Sequence, residues 1–443
     1  MRDIHLNREM LRAIARGEAE PRALVRMGLE HLRCLCPTCA SEWDAWEAEK
    51  LAAAADRFHD RIPGLLANRL QLIESEEENA REELRGLLAI EPAKRITRIV
   101  RSRNRYRNAA LVRLLLAEAR RAAHSDPQQA YHFADLGFHV ADRLTGSDMA
   151  QGLVPLALAE MANALRIKAE SQGARELFAR SRALTQLSRV SDPSIIARID
   201  HLEAVFHLNL RRFPEAENLL ERAKVLYGLV GASAAIARVE ISLCLLFLDS
   251  DQPERALQTV RGVLKRPSVR EDQKLFLGAR INLARALYET GDLRAARKVL
   301  DQDEQRQALV GEPLANLRYG WIRGRIATAE RDFAAAKEHF EKVRDEFISA
   351  GVGYDAALVS LDLALACLRL GKPEVVKQLT EEMLPIFASQ DIHREALAAL
   401  RLFQEAVQHE ILTEALVRDL KAYLQGARYQ PEVRFRPGAG AGN

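Results

Sequence analysis

Gly291-Asp292-Leu293-Arg294-Ala295-Ala296 is the turn that decides the fold of this chain. Upstream of it, Leu283, Ala284 and Leu287 recur at helical spacing; downstream, Ala296, Val299 and Leu300 do the same. Two short helices joined by a Gly-Asp turn each carry an apolar stripe that neither can bury alone, so the hairpin needs neighbours. They come at a fixed interval. Ala216, Ala256, Ala296, Ala336 and Val376 are spaced by 40 residues, and twelve residues before each stands Ala204, Cys244, Ala284, Gly324 or Ala364. Small side chains on facing surfaces let helices cross closely, because interaxial distance depends on the residues at the contact. The ladder continues upstream through Ala162 with Ala174, then through a degenerate first pair, Ala117 with Ala130, that is one place out of step. Self-similarity at this period is the mark of a helical solenoid.

Leu283-Ala284, Tyr288, Gly291-Asp292-Leu293 and Ala296 are echoed by Arg331-Asp332-Phe333 with Ala336 and by Gly371-Lys372-Pro373. Together these residues resemble the tetratricopeptide repeat (TPR) family, over roughly residues 104–390. The resemblance implies an all-α fold, a TPR-like right-handed α–α superhelix (solenoid), used as a scaffold for binding and carrying no chemistry of its own. The repeats run longer than the family's usual length, and the proline that often ends its second helix is mostly absent. Both departures imply longer helices or loops.

Composition agrees with a helical array. Of 443 residues, 29% are charged and only 6% aromatic, with Ala, Leu, Arg and Glu dominant. The formal net charge of +3 gives no generic attraction to nucleic acid. No stretch approaches the ~18 consecutive apolar residues of a membrane span, and Met1–Arg16 is charged throughout, unlike a secretory signal. A cytoplasmic location is the expectation. Five cysteines are too few and too unevenly placed for a disulfide framework; Cys244 and Cys367 fall at small or apolar core positions of the repeats.

The first 45 residues read differently. Leu11, Ile14 and Ala15 suggest one short helix, and Leu24, Met27, Leu29 and Leu32 a second that starts near Pro21. This unit has too little apolar area to fold alone, and a structural metal is a common remedy. Cys36-Pro-Thr-Cys39 places two thiolates across a tight turn; His31 would be a third ligand, and His5 could close a tetrahedral set. The segment resembles the zinc-binding fold of anti-sigma factors, which implies His5, His31, Cys36 and Cys39 as ligands of one structural Zn2+ and a sigma factor as one candidate partner. Four residues separate His31 from Cys36 where that family usually has three, so Cys34 is either a spare thiol or an alternative ligand. Loss of metal with the fold retained, and thiol redox chemistry, stay open beside zinc. Four protein ligands leave no open coordination position, so the metal would not be catalytic.

Residues 46–103 are expected to be helical linker. Trp43, Trp46, Leu51 and Phe58 form an apolar stripe; Pro63-Gly64 interrupts; Glu74, Glu76, Glu77, Glu78, Glu82 and Glu83 then form an acidic run. Lys94, Arg95, Arg98, Arg101, Arg103, Arg105 and Arg107 follow as a basic run around Tyr106, with Ile96, Ile99 and Val100 as its buried side. The two runs solvate adjacent helices and compensate each other; contact with phosphates is the competing reading.

Seven hairpins are expected over residues 104–391, capping helices over 392–427, and a disordered Pro/Gly/Ala tail over 428–443. In the resembled family the concave side is lined by the first helix of each hairpin. Projection from the small residues puts Arg198, Arg238, Arg285, Arg318 and Arg325 on that side, with His201, Asn282, Tyr288 and Trp321 near them. Such a groove favours an acidic or carboxylate-bearing peptide, because Arg pairs bidentately with carboxylates. Solvated arginines or ion pairs within the array are the plain alternative.

No catalytic pattern stands out. There is no Gly-rich phosphate loop, no His-Glu-x-x-His, and no strand pattern to host a nucleophilic Ser. His132 and His139 are two helical turns apart, too far to grip one ion, and His201 and His207 fall on different faces. The expectation is a non-enzymatic adaptor of bacterial type: the array receives a protein or peptide, and the metal module docks a second partner such as a sigma factor or an enzyme subunit. A nucleic-acid-binding regulator using residues 94–107 is the alternative. Metal analysis checks the N-terminal assignment: about one zinc per chain is expected, falling when His31 and Cys39 are both replaced by Ala, and less than about 0.3 discards the four-ligand set.

Overall fold

The computed structural model describes residues 62–436, apart from 104, 124, 145–151, 189, 311–312, 389–393, 409–412, 428 and 431–432. His5, His31, Cys34, Cys36, Cys39 and the Trp43–Phe58 stripe lie outside the described residues. The chain divides into two compact units, residues 1–80 and 81–443. Helix α1 (Ile62–Leu88) runs across that division, and α2 (Pro92–Arg101) follows.

From there the chain is a succession of antiparallel helical pairs: α3 (Ala109–Ala122) with α4 (Pro127–Asp142), α5 (Leu153–Ile167) with α6 (Ser171–Leu187), and α7 (Pro193–Asn209) with α8 (Phe213–Leu229). Next come α9 (Ser233–Asp249) with α10 (Pro253–Val263), a five-residue α11 (Pro267–Glu271), and α12 (Gln273–Glu289) with α13 (Leu293–Val310). The last are α14 (Pro313–Ala329) with α15 (Phe333–Ser349), α16 (Gly353–Arg369) with α17 (Pro373–Ala388), and α18 (Arg394–Gln408) with α19 (Glu414–Ala427). The fold is the all-α, TPR-like solenoid read from the repeats; no strand occurs among the described residues.

One turn geometry is stamped into each hairpin from the third pair to the seventh. Arg211, Asp251, Gly291, Arg331 and Gly371, each 40 residues from the next, sit at φ 56°, 59°, 86°, 62° and 69°. This left-handed residue ends the first helix, and the amide after it donates back to a carbonyl five residues earlier: Asp292 to Leu287 at 2.9 Å, Asp332 to Ala327 at 2.9 Å, Lys372 to Cys367 at 3.0 Å. The second helix is then capped where an Asp is available. Asp292 Oδ1 accepts from the Ala295 amide and Asp332 Oδ1 from the Ala335 amide, both at 3.0 Å. Ala169 makes the same turn between α5 and α6 at φ 63°.

The small-residue ladder is the buried seam. Ala204, Ala216, Cys244, Ala256, Ala284, Ala296, Ala336, Ala364 and Val376 are all 0% exposed, as are Ala162 and Ala174 upstream. The first pair departs from the ladder: Ala117 is only partly buried, and Ala130 clusters with Ala122, Ala123 and Ala164. Val100, placed by pattern on the buried side of α2, is also exposed; only Ile99 is fully inside. The reason lies in the next hairpin. The Arg143 guanidinium, at the end of α4, takes the C-terminal carbonyls of α2 at Ile99, Val100 and Ser102, which fixes the helix's rotation.

First helices pack on the first helices of neighbouring pairs: α5 on α7, α9 on α12, α12 on α14. No second helix packs comparably on another second helix among the described residues. The first helices are therefore on the inside of the curvature. Their faces turned to that side form the array's inner surface.

Gly324 occupies the seam at its tightest point, where an added Cβ would lie 2.4 Å from the Phe340 ring. Gly324→Ala is expected to lower stability by about 1–3 kcal/mol through overpacking. Gly291→Ala, with open space but a left-handed backbone, is expected to lower it by about 1 kcal/mol, and Arg331→Gly to raise it by a similar amount. Urea unfolding followed by circular dichroism checks the three signs.

Candidate functional site

The inner surface is built from polar residues that the first helices present to one another. Glu160 on α5 is 2% exposed at its side chain and is gripped from both sides. Arg198 of α7 binds it bidentately at 2.9 and 3.1 Å, and Arg120 of α3 lies 3.3 Å away. Burial alone pulls the Arg198 guanidinium's pKa down; the Glu160 charge and hydrogen bonds outweigh it and the net shift is upward.

One step along, His201 is 8% exposed and its Nε2 lies 2.9 Å from Ser242 Oγ of α9. Its pKa is pushed down to about 3, first by burial and then by the fields of Arg198, Arg238 and Arg166. Arg238 keeps half its side chain in solvent and has Asp272 at 3.5 Å. Arg166 donates Nε and Nη2 to Asn163 Oδ1 at 3.0 and 2.9 Å. Arg166, Arg198 and Arg238 therefore gather around a neutral histidine, and Arg120 shares the buried Glu160 carboxylate with Arg198. This stretch of the inner surface is electropositive.

Further along, the charges alternate. Asp249 (α9), Arg285 (α12), Glu289 (α12) and Arg325 (α14) form a staircase with steps of 2.8, 2.9 and 3.6 Å. Burial opposes the Arg285 charge, but Asp249 and Glu289 overcome it and raise its pKa. The Arg325 guanidinium also stands 4.7 Å over the Tyr288 ring. Trp321 donates its indole N–H to Asp362 Oδ2 of α16 at 2.8 Å and meets Phe347 edge-on.

The groove residues named from sequence thus fall into three groups. Arg198, Arg285 and Arg325 are engaged in ion pairs between repeats; Arg238 and Arg318 are exposed, the first with Asp272 as a neighbour; Asn282 is buried and Trp321 half-buried. Sequence reasoning missed the acids that complete the pattern, namely Glu160, Asp249, Glu289 and Asp362. The signal was present: Glu160 and Asp362 stand two residues before the seam residue of their helix, Asp249 and Glu289 five after it.

Elsewhere, Asp200 is fully buried beneath Arg222, which binds it at 2.6 Å through both Nε and Nη2. The Cys244 thiol donates to the Ala256 carbonyl at 3.5 Å, and burial pushes its pKa up to about 12, far from a reactive thiolate. In the basic run, Arg95 donates to the Ile90 and Leu88 carbonyls, both at 2.9 Å, and Lys94 pairs with Glu91 at 2.7 Å. No group of three metal-binding side chains occurs among the described residues. No helix among them is long and apolar enough to cross a membrane.

Two solved structures share this architecture. A Rap protein complexed with competence and sporulation factor aligns over 73% of this chain and 93% of its own at 10% identity, with a TM-score of 0.58. The apo form of RapI aligns over 71% and 86% at 11% identity, with a TM-score of 0.50. At these identities the likeness is one of fold. No protein-family model matches the chain, and no curated protein does.

His201 supplies a pH test. Its folded pKa lies below the ordinary 6.5, so the unfolded chain binds the extra proton first. Stability is then complete above pH 6.5 and declines as pH falls from 6.5 toward 3, by up to about 1.4 kcal/mol per pH unit from this one group. His201→Gln is expected to flatten the decline between pH 6.5 and 4.5 relative to the parent chain. Urea midpoints measured across that range for both proteins decide it.

Proposed function

We propose that this chain is a non-enzymatic scaffold whose inner, first-helix surface receives an acidic segment of a peptide or protein partner. The observation that carries the reading is the clustering of Arg166, Arg198 and Arg238 around His201, which burial first and then their fields keep uncharged. Glu160 satisfies Arg120 and Arg198; Arg238, paired with Asp272 at 3.5 Å but with half its side chain in solvent, is the guanidinium placed to meet a partner carboxylate. A Rap protein of similar fold is described in complex with a competence and sporulation factor, which supports a binding role for such an array. The N-terminal segment with His5, His31, Cys36 and Cys39, holding Zn2+, is the proposed dock for a second protein, a sigma factor or an enzyme subunit. The reading places the protein in the cytoplasm, and without nucleic acid as a partner.

Immobilised peptide arrays of matched length, rich in Glu/Asp or in Lys, test the reading at low salt. The intact chain is expected to retain acidic peptides over basic ones, and Arg238→Glu together with Arg318→Glu to weaken that retention at least tenfold. Equal retention of both peptide classes would overturn it.

A further inference from the structure

The C-terminal helix does not extend the stack. α18 packs on α17 as the next repeat should, but α19 turns back onto α16, a first helix. It seats Val417, Leu420, Leu424 and Ala427, at spacings of three, four and three residues, against the α16 core; all are 2% exposed or less. Beside that stripe, Lys421 Nζ donates to Asp362 Oδ1 at 2.5 Å, the carboxylate whose other oxygen holds Trp321. The ammonium is largely buried and lies in the field of Arg325 and Arg285 as well as Asp362.

The chain then continues along the same surface instead of leaving it. Gln430 Nε2 donates to the Leu210 carbonyl at 2.8 Å, and Arg211 Nη1 donates to Gln425 Oε1 at 3.4 Å. Gly426 stands against the aliphatic stem of Arg211, whose Cδ would lie 3.3 Å from an added Cβ. Tyr429 shares a cleft with the α5–α6 turn, Ala169–Gly173 and Arg175. Val433 and Phe435 double back onto Tyr423, whose hydroxyl donates to the Val433 carbonyl at 3.0 Å. So Gln425 and Gln430 make polar contacts to a turn more than 200 residues upstream.

We infer that Glu414–Arg436 is a detachable strap: an intramolecular occupant of the inner surface from α16 back to the α7–α8 turn, which a partner must displace. This inference rests on the inner surface being the partner-binding side. Two features mark the strap as separable. Its anchoring to the α7–α8 turn is by two polar contacts at a loop edge, while each hairpin of the array is closed by a buried seam of small side chains. Its one buried cation is set among two arginines, so a single carboxylate, Asp362, holds it in place. The chemistry of the seat defines the occupant: an amphipathic helix with apolar residues at that spacing and a lysine that reaches Asp362.

Two readouts on the full-length chain test this. Hydrogen exchange is expected to show amides of 414–430 opening at least tenfold more often than those of α16, with Lys421→Glu raising their exchange a further tenfold and leaving α5 to α14 unchanged. A fluorescein-labelled synthetic peptide spanning residues 413–436 is expected to bind the Lys421→Glu chain at least tenfold more tightly than the parent chain, whose seat is filled. Exchange of 414–430 together with α16 as one unit would make α19 a fixed part of the core and overturn the inference. So would a labelled peptide that binds both chains alike, or neither. The acidic-peptide comparison at Arg238 is independent, so its failure would remove the proposed partner chemistry and leave the strap result standing.

Discussion

How near two helix backbones can come within a hairpin is the constraint on which this molecule depends. At the crossings of the third to the seventh pairs the chain places a hydrogen, a methyl or a thiol on the first helix and a methyl or a valine on the second, all of them buried. That near approach brings the turn within reach of a single left-handed residue. The turn in turn sets the direction of the second helix, and the next pair inherits its position. A stack built this way couples each pair only to its neighbours, so an error of one methylene at the seam is local in origin and propagates as a change of pitch. The Phe340 ring filling the space above Gly324 shows how little slack the seam has.

Across that apolar seam, polarity is organised at right angles. Residues roughly 40 apart in sequence meet side by side on adjacent first helices, which is why Glu160 finds Arg198, Asp249 finds Arg285, Glu289 finds Arg325 and Trp321 finds Asp362. Ion pairs buried to this degree add modest net stability, because desolvation offsets most of the attraction. Removing one partner is far more costly than the pair is worth. They act as registration marks: a hairpin that slipped by one turn would strand a carboxylate such as Glu160, 2% exposed, without its guanidinium. Where acids run out, around His201, the same architecture leaves cations in excess, and the inner surface changes from charge-balanced to net positive.

The turn around Gly291 and the 40-residue ladder made the fold legible, because helix pairing is dictated locally by side-chain size and periodicity. The rotation of each helix was legible less sharply. Val100 and Ala117 were misplaced because the Arg143 contact that rotates α2, and the shorter first pair, come from elsewhere in the chain. Arginines on the inner surface could be named, but not which of them were already spent. Their acids sit on a different helix face in the neighbouring repeat, and only three-dimensional adjacency couples them. The turn-back of α19 was hidden for a similar reason: Leu420, Lys421 and Leu424 read as an ordinary capping helix, and nothing local says that Asp362 is the destination.

The bond between Gln430 and Leu210 spans 220 residues of sequence, and it alters the topology of the whole array. An open stack behaves as a linear lattice whose ends fray independently of its middle. Tying the residues after the eighth pair to the third converts the lattice into a closed circuit, in which bending at any intervening interface must be accommodated by all the others. Elastic compliance and vacancy of the inner surface then become a single variable: the circuit is stiff while its own segment sits inside, and becomes a spring when that segment leaves.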